Sequence, residues 1–327
     1  MNLTDKTLLI TGIGGFIGLR TTEIAIAKGL KVRGLEKDAE LAKKAQKLGA
    51  EVIIGSVTDI SISQKACEDV DIVLHTEEIA KEGGSIKEFS QVNIDGAINI
   101  GKAARNAGIK TFVHLSTGSV YGFDYPNSVN EKEQLIKEKN PYCQTKIEAE
   151  KALQQLNSSR DFGIIIIRAG DVYGPGSIPW TVRPISFMQQ KLFAYTNEGK
   201  VINHLYVDNL VDAIFLAIEK EQHGEVFNIT DGQETSPQEF FTRLAEAAGC
   251  PPPSSLGKEE IRVFLKLRCQ GQKLLRKKPD IYPEAVDFMS RPYAFSIEKA
   301  RRFLNYQPAI SLEEGMNFIK EWLKNQE

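Results

Sequence analysis

A short apolar strand that leads directly into a glycine-rich turn is the feature that most restricts the fold of this chain. Residues 6–11 have the length and apolar character of a buried strand, and residues 12–18 follow it and open a helix with helical apolar spacing. Gly12 permits a tight turn, Gly15 lets the backbone approach a pyrophosphate, and Gly18 allows the helix to pack closely on the strand. Since the helix N-terminus also offers amide donors to an anion, this segment predicts a dinucleotide-binding turn.

A second predicted strand, Lys31–Glu36, ends in a carboxylate. Glu36 follows the glycine turn at the distance where an acidic residue binds the ribose hydroxyls of an adenosine, which favours NAD. The neighbouring Lys37 is able to meet a 2′-phosphate, so NADP stays open. Phe16 and Ile17, which begin the first helix, complete the predicted cofactor contacts at this end of the site.

Strand-like and helix-like segments alternate through the first half of the chain. Further strands are predicted at residues 51–54, 71–75, 111–116 and 163–168. That rhythm predicts an α/β protein with a Rossmann-type doubly wound parallel sheet and a smaller, mostly helical C-terminal substrate domain. A strand at 201–207 and a helix from Asp208 return the chain to the first domain. The predicted division is residues 1–170 and 201–230 for dinucleotide binding, and residues 171–200 and 231–327 for the substrate.

Composition argues against several classes of protein. The 327 residues are 42% hydrophobic with a net charge of −2, which allows a large core and gives no basic bias towards nucleic acid. No apolar run approaches the roughly eighteen residues that a membrane span needs, and the N-terminus lacks a signal-peptide layout. Metal-type spacing is missing too, so no metal is predicted, and a reduced cytoplasmic setting is expected. The residues concerned are Cys67, Cys143, Cys250 and Cys269, with His75, His114 and His204 in or beside predicted strands.

Tyr142 and Lys146 form a candidate proton-transfer pair. Asn140 and Pro141 supply a favoured N-cap and first helical residue, so a helix is predicted to begin here. The two side chains then lie one turn apart on the same face. A tyrosine titrates near roughly 10, and a neighbouring ammonium favours its phenolate, so the pair suits an acid or base. Because such pairs are common on exposed helices, the glycine turn elsewhere in the chain is what gives this one meaning.

These motifs, taken in order, resemble those of the extended short-chain dehydrogenase/reductase superfamily. That superfamily includes NAD-dependent sugar epimerases and dehydratases and 3β-hydroxysteroid dehydrogenases. The similarity runs nearly end to end. Its segments are residues 11–18, 93–96, 115–122, Tyr142 with Lys146, 168–176, 206–210 and 295–308.

The resemblance implies a role for each candidate residue. Thr117 is expected to hydrogen-bond the substrate carbonyl or hydroxyl, with Ser116 and Ser119 as local competitors. Tyr142 is expected to pass the proton, and Lys146 to hold the nicotinamide ribose while favouring the tyrosinate. The remaining implied cofactor residues are Ser56, Val57, Thr76, Glu77, Asn93 and Leu115, and the implied substrate residues are Glu78, Ser119, Asp171 and Tyr206.

Two departures from the superfamily's pattern bear on the substrate. Sugar-nucleotide enzymes usually have an Asn where this chain has Asp171, and often an Arg where it has Ile202. A carboxylate repels a pyrophosphate, and isoleucine in place of arginine removes a bidentate anion contact, so nucleotide sugars are disfavoured. Arg183 or a basic residue from 258–278 remains able to replace that contact. Residues 206–210 are more similar to the steroid-dehydrogenase branch, whose substrates are apolar.

The sequence therefore predicts an NAD(P)-dependent oxidoreductase that transfers hydride to or from a secondary alcohol or ketone of a small, apolar substrate. A nucleotide-sugar epimerase or dehydratase is the alternative enzyme, and a non-catalytic NAD(P)-binding redox sensor is the alternative outside catalysis. A sensor needs the glycine turn but no proton donor. The set Thr117, Tyr142 and Lys146 argues against it.

A third departure is the pair Glu77 and Glu78, which follow the fourth strand where the superfamily has small apolar residues. Because carboxylates are seldom buried without a partner, solvent or the rim of the cofactor site is favoured over the substrate cavity for both. Ser56 likewise replaces an Asp often used near adenine, which suggests weaker cofactor binding.

Two surface features concern partners. Residues 258–278 carry many basic residues around apolar ones, and a lid or a solvated helix face is favoured there over a membrane-surface helix. Helices at 90–106 and 145–156 form a four-helix dimer interface in the resembled superfamily. The first has more apolar side chains than a sheet-facing stripe needs, so a homodimer is expected. Those side chains are Ile94, Ala97, Ile98, Ile100 and Ala104.

Overall fold

A seven-stranded parallel sheet forms the centre of the protein in a computed structural model, which describes residues 1–158 and 160–326. In chain order the strands are β1 (Thr7–Thr11), β2 (Lys31–Glu36), β3 (Glu51–Ile54), β4 (Ile72–His75), β5 (Thr111–Thr117), β6 (Gly163–Ala169), β7 (Asp171–Tyr173), β8 (Ala194–Thr196), β9 (His204–Tyr206), β10 (Val226–Ile229) and β11 (Ser254–Leu256). The central sheet has the order β10-β6-β5-β4-β1-β2-β3. The predicted Rossmann-type α/β fold is confirmed, because the strand order reverses beside β1 as in a doubly wound sheet.

Helices cover both faces of this sheet. In chain order they are α1 (Phe16–Ala27), α2 (Ala39–Lys47), α3 (Ile60–Ala66), α4 (Ile86–Phe89), α5 (Ala97–Asn106), α6 (Pro141–Gln154), α7 (Arg183–Gln189), α8 (Val207–Glu219), α9 (Pro237–Ala247), α10 (Lys258–Leu274), α11 (Ala285–Phe288), α12 (Glu298–Leu304) and α13 (Leu312–Lys324). Helices α1, α8 and α12 share one core with the sheet, and α3, α5 and α6 share the other. None of the helices in the two described ranges combines the length and apolarity needed to cross a membrane.

The strand prediction for the second half of the chain is partly wrong. Only His204–Tyr206 forms a strand within residues 201–207, and it pairs with β7 outside the central sheet. The seventh central strand is β10, where Phe227 lies beside Ile167 of β6. Strands β8, β10 and β11 have only three or four residues each, which is too short for the apolar alternation that predicts a strand.

The remainder of the chain builds a third core, separate from the two that cover the faces of the sheet. Helices α7, α9 and α13 contribute to it together with Tyr173 and Tyr206 from the pair β7 and β9. The central strands fall within residues 1–170 and 201–230. The boundaries between two domains stay a prediction.

Candidate active site

Helix α6 brings Tyr142 and Lys146 to the end of β5. Its start is fixed by Asn140, whose side-chain oxygen accepts hydrogen bonds from the amides of Tyr142 at 2.9 Å and Cys143 at 3.3 Å. One turn further on, the Lys146 ammonium donates to the Leu115 carbonyl oxygen at 2.6 Å and is 2% exposed. The helix start that the sequence predicts is confirmed, and the lysine is anchored to the strand behind the site.

Glu78 bridges the tyrosine and the lysine. Its carboxylate lies 2.6 Å from the Lys146 ammonium and accepts a hydrogen bond from the Tyr142 hydroxyl at 3.1 Å. Burial, and then the charge and hydrogen bond of Glu78, raise the pKa of Tyr142 well above its usual range. Glu78 balances the charge of the ammonium and stabilises the phenol proton, which opposes the expected effect of Lys146 on the tyrosinate. The expected role of Lys146 stays a prediction.

Thr117 and Ser119 share the space in front of this pair, and Ser116 does not. Thr117 is the last residue of β5, and its hydroxyl donates to the Ser119 hydroxyl at 3.2 Å. The Thr117 side chain also faces the Tyr142 hydroxyl. Ser116 points to the opposite side of the strand, where it donates to Glu150 at 2.5 Å. Of the local competitors, only Ser119 lies with Thr117.

Arg291 is a residue of the site that the sequence reasoning missed. Its side chain is 2% exposed, and it donates to the Ser119 hydroxyl at 3.0 Å and forms an ion pair with Asp171. Asp171 also accepts from the Asn203 amide at 3.1 Å. Burial by itself would lower the pKa of Arg291, but the Asp171 carboxylate outweighs that effect and raises it. Asp171 therefore faces a cation of its own chain.

Aromatic side chains surround the Arg291 guanidinium. It lies 5.8 Å from the centre of the Phe288 ring and 5.5 Å from that of Phe295. A Cβ atom at Gly118 would lie 2.1 Å from the Phe295 ring, so the end of β5 must carry glycine to accept this segment. The sequence did offer a signal, because Arg291 stands alone among the aromatic residues of 288–295. An arginine in such an apolar segment is expected to be buried only with an acidic partner.

Helix α1 lacks the side-chain cap that its neighbours have. Gly15 is its N-cap and no acidic residue lies in its first turn, whereas Asp38 and Asp59 cap α2 and α3. The first amides of α1 are therefore left for an anion such as the diphosphate of a dinucleotide. A Cβ atom at Gly18 would lie 2.6 Å from the Gly12 carbonyl oxygen, so the close turn requires glycine there. This end of the site fits a dinucleotide.

Glu36 is held beside the same turn. It is 6% exposed, and its carboxylate accepts hydrogen bonds from the backbone amides of Gly14 and Asp38, both at 3.1 Å. The carboxylate is thereby fixed where the ribose of an adenosine would meet it. Lys37 is exposed.

Glu77 is buried near Glu36 without a hydrogen-bond partner. It is 8% exposed, and neither carboxylate oxygen has a partner among the residues the structure describes. Burial raises the pKa of Glu77 to about 7; Lys37 and the nearby backbone amide of Val57 oppose the rise, and Glu36 adds to it. An unpaired acceptor at the adenosine end suits the hydroxyl or amino groups of a nucleotide. Placement of the two side chains in solvent is therefore wrong, because Glu77 is buried and Glu78 contacts Tyr142 and Lys146. Their placement at the cofactor rim stays a prediction.

Two further predicted cofactor residues bond to the protein itself. The Ser56 hydroxyl shares a hydrogen bond with Thr58 at 2.9 Å, and the Thr76 hydroxyl donates to the Thr11 carbonyl oxygen at 2.7 Å. Val57, between β3 and α3, is fully buried. Their contribution to the cofactor site stays a prediction.

Asn93 connects the segment after β4 to α6. Its side-chain oxygen accepts from the Ile79 amide at 2.7 Å, and its amide nitrogen donates to the Thr145 hydroxyl at 3.1 Å. Asn93 therefore supports the segment that carries Glu78, from behind the site.

Tyr206 does not join the catalytic group. Its ring packs at 5.8 Å from that of Phe318 in α13, and a Cβ atom at Gly174 would contact both Tyr206 and Phe16. Phe16 and Ile17 pack against the third core, which also contains Tyr206. The three side chains link the glycine turn to the C-terminal part of the chain.

The buried histidines lie behind the site. His75 bonds the Thr11 hydroxyl at 2.7 Å and stacks on His114 at 5.5 Å between ring centres. Burial, with a smaller effect of Lys146, lowers the pKa of His75 to about 3. Within residues 1–158 and 160–326, no three His, Cys, Asp or Glu side chains come close enough together to hold a metal ion.

Comparison with known proteins agrees with this geometry. Residues 8–230 match the model of the NAD dependent epimerase/dehydratase family. A 4-hydroxy-2-methyl-3-oxo-4-farnesyl-3,4-dihydroquinoline-1-oxide ketoreductase of Stigmatella aurantiaca is 26% identical over 95% of each chain. A 3-beta-hydroxysteroid dehydrogenase of Mycolicibacterium neoaurum is 26% identical over 94% of this chain and 89% of its own. The structure of UDP-glucose 4-epimerase from Thermotoga maritima with UDP-glucose has a TM-score of 0.80 at 22% identity, over 98% of this chain and 99% of that one.

The chain thus belongs to the NAD-dependent epimerase/dehydratase family. It is an NAD-dependent enzyme of the extended short-chain dehydrogenase/reductase type, as the sequence motifs predict, with relatives in the 3β-hydroxysteroid dehydrogenase branch.

Proposed function

We propose that this enzyme is a dehydrogenase or reductase that acts on the secondary alcohol or ketone of a small, apolar substrate. When bound, NAD supplies the hydride acceptor or donor. The uncapped end of α1, Glu36 and Glu77 would hold its adenosine diphosphate half, and Lys146 its nicotinamide ribose once Glu78 releases the ammonium. Tyr142 would exchange a proton with the substrate oxygen, which Thr117 orients.

The observation that carries the proposal is that the cations around the substrate side are already paired. Arg291 pairs with Asp171, and Arg183 with Glu82, whose carbonyl oxygen in turn accepts from Asn140 at 2.8 Å. A nucleotide diphosphate needs free cations or donors, and binding it here would mean separating a buried ion pair. A neutral substrate makes no such demand.

The apolar surface beside these pairs supports the same conclusion. Phe123 and Phe288 meet edge to face at 4.8 Å, both partly exposed, next to the Arg291 segment. Rings in this position offer apolar area to a ligand whose oxygen reaches Thr117. Two relatives, the ketoreductase and the 3-beta-hydroxysteroid dehydrogenase, carry names that describe the same class of reaction.

The test is a spectrophotometric screen of ketones and secondary alcohols with NADH or NAD, run beside calorimetry with UDP-sugars. We expect net oxidation or reduction of the cofactor with apolar ketones, and no nucleotide-sugar binding tighter than that of simple nucleotides. Micromolar binding of a UDP-sugar, together with product formation without net change of the cofactor, would instead establish the epimerase alternative.

We also propose a homodimer through the helix surface of residues 90–106. Ala97, Ile100 and Ala104 are buried within the chain itself, whereas Ile94 and Ile98 are partly exposed. The proposed setting is the cytoplasm, supported by four cysteines that are all free thiols.

A further inference from the structure

Helix α10 has two apolar faces, and only one of them is covered by the protein. Ile261 and Leu265 on its inner face are 5% and 4% exposed and pack against the core that contains Val286. Val263 and Leu267, on the opposite side, are 55% and 63% exposed. The second face therefore contributes nothing to the packing of this chain.

The uncovered face continues to the end of the helix and beyond it. Leu274 is 85% exposed and Leu275 71%, and Phe264 adds a ring that is 40% exposed. Among the described residues, five of the fifteen exposed large apolar side chains thus fall within residues 263–275. The other ten are spread over the rest of the chain, so this concentration marks an interaction surface.

Unpaired cations flank this apolar surface. The cations nearest the inner face are neutralised, since Lys258 and Arg262 pair with Asp287, and Arg268 pairs with Asp280. The other five cations of residues 258–278 have no ion-pair partner within residues 1–158 and 160–326. They are Lys266, Lys273, Arg276, Lys277 and Lys278.

We propose that the outer face of α10, with residues 275–278, binds the surface of an anionic lipid bilayer. A helix lying in the plane of the membrane inserts Val, Leu and Phe side chains to the depth of the acyl boundary, while Lys and Arg meet the headgroup phosphates. A second copy of this chain fits less well. In a symmetric contact the five unpaired cations of one protomer would face those of its partner, with no carboxylates between them.

This surface lies outside the proposed catalytic group, and α10 contributes no residue to it. Peripheral binding requires no membrane-spanning helix. If the substrate is an apolar ketone, as proposed above, the bilayer is also the phase into which that ketone partitions, and the enzyme would be held beside it.

The experiment is vesicle co-sedimentation of the full chain with phosphatidylcholine alone and with phosphatidylcholine containing phosphatidylglycerol. We expect binding that is at least tenfold tighter with phosphatidylglycerol and that weakens as salt is raised. The double variant Leu267→Glu/Leu274→Glu should lose this binding. The matched control is Ile60→Glu/Phe303→Glu, two side chains in α3 and α12 that are 60% and 45% exposed, and it should bind like the wild type.

Three results would overturn the proposal. One is the absence of sedimentation with either vesicle, and a second is equal loss of binding in the control variant. The third is concentration-dependent self-association in analytical ultracentrifugation that only the α10 variant abolishes, which would assign the face to a second copy. Turnover of a water-soluble ketone should be unchanged in both variants, so failure of membrane binding would leave the proposed reaction standing.

Discussion

Asp171 and Glu77 both carry buried carboxylates, but the first has a charged partner and the second has none among the described residues. On the substrate side, Asp171 forms an ion pair with Arg291 and accepts a backbone hydrogen bond from Asn203. On the cofactor side, neither oxygen of Glu77 has a partner among the described residues. Burial raises the pKa of both carboxyl groups, that of Glu77 to about 7, but only Asp171 has a cation that balances its charge.

The difference indicates what each side still needs. The Asp171–Arg291 pair, which lies against aromatic rings, is already balanced in charge, and this suits a neutral substrate. An unpaired carboxyl group next to the glycine turn is completed only when a ligand supplies hydrogen-bond donors. The unpaired Glu77 supports the proposal that NAD binds on the cofactor side, and the Asp171–Arg291 pair supports the proposal of a neutral substrate.

Tyr142, at the boundary between the two sides, should give the largest effect. Tyr142→Phe removes the proton donor, so we expect turnover to fall by about 10²- to 10⁴-fold. NAD binding should change little, because the hydroxyl contacts Glu78 and contributes to proton transfer instead of holding the dinucleotide. Parallel assays of NADH consumption and of NAD titration by calorimetry check both parts. Lys146→Ala is the contrasting variant and should impair both; wild-type rates in Tyr142→Phe would remove Tyr142 from the mechanism.

The balanced pair is tested by removing one partner. Asp171→Ala leaves the Arg291 charge buried, and we expect the free energy of unfolding to fall by about 3–5 kcal/mol. The double variant Asp171→Ala/Arg291→Leu removes both charges and should recover most of that loss. Urea denaturation of the three proteins measures this. If the double variant is as unstable as the single one, Asp171 acts through packing and the argument for a neutral substrate site weakens.

The local structure of the cofactor side could be predicted from the sequence better than the contacts of the substrate side, for a physical reason. The glycine turn and the helix start at Asn140 depend on local geometry, which spacing within a few residues reveals, and Glu36 ends the strand that follows the first helix directly. The partner of Asp171 lies 120 residues away in the chain, and only folding brings Arg291 to it. The contact between Glu78 and Tyr142 was missed for a related reason, because it joins the segment after β4 to α6, 64 residues further along the chain.

The unpaired Glu77 should make stability depend on pH. Its folded pKa of about 7 lies above the ordinary 4.5 of a glutamate, so the native state holds its proton between those values and the unfolded state does not. The stability that Glu77 contributes is therefore fully present below about pH 4.5 and is lost as pH rises from there to about 7. Glu77→Gln removes this titration. We expect the variant to match the wild type near pH 5 and to exceed it by up to about 3 kcal/mol at pH 8, without ligand. Urea denaturation across that range measures the difference, and a constant offset between the proteins would show that Glu77 does not titrate there.

Glu78 should give the smallest effect, and it bears on how the two sides are joined. Its carboxylate contacts both Lys146 and Tyr142, so it competes with a nicotinamide ribose for the ammonium. Glu78→Ala removes that competition, and we expect NAD to bind about tenfold more tightly, equivalent to about 1.4 kcal/mol. The pKa of Tyr142 should also fall, because one of the causes that raise it is gone.

Glu82→Ala is the matched control, since it removes a carboxylate of similar exposure from the Arg183 pair without touching Lys146. Calorimetric titration with NAD compares the three proteins. Weaker binding in Glu78→Ala would show that Glu78 holds the cofactor, and an equal gain in Glu82→Ala would show that only the total charge of the cleft matters.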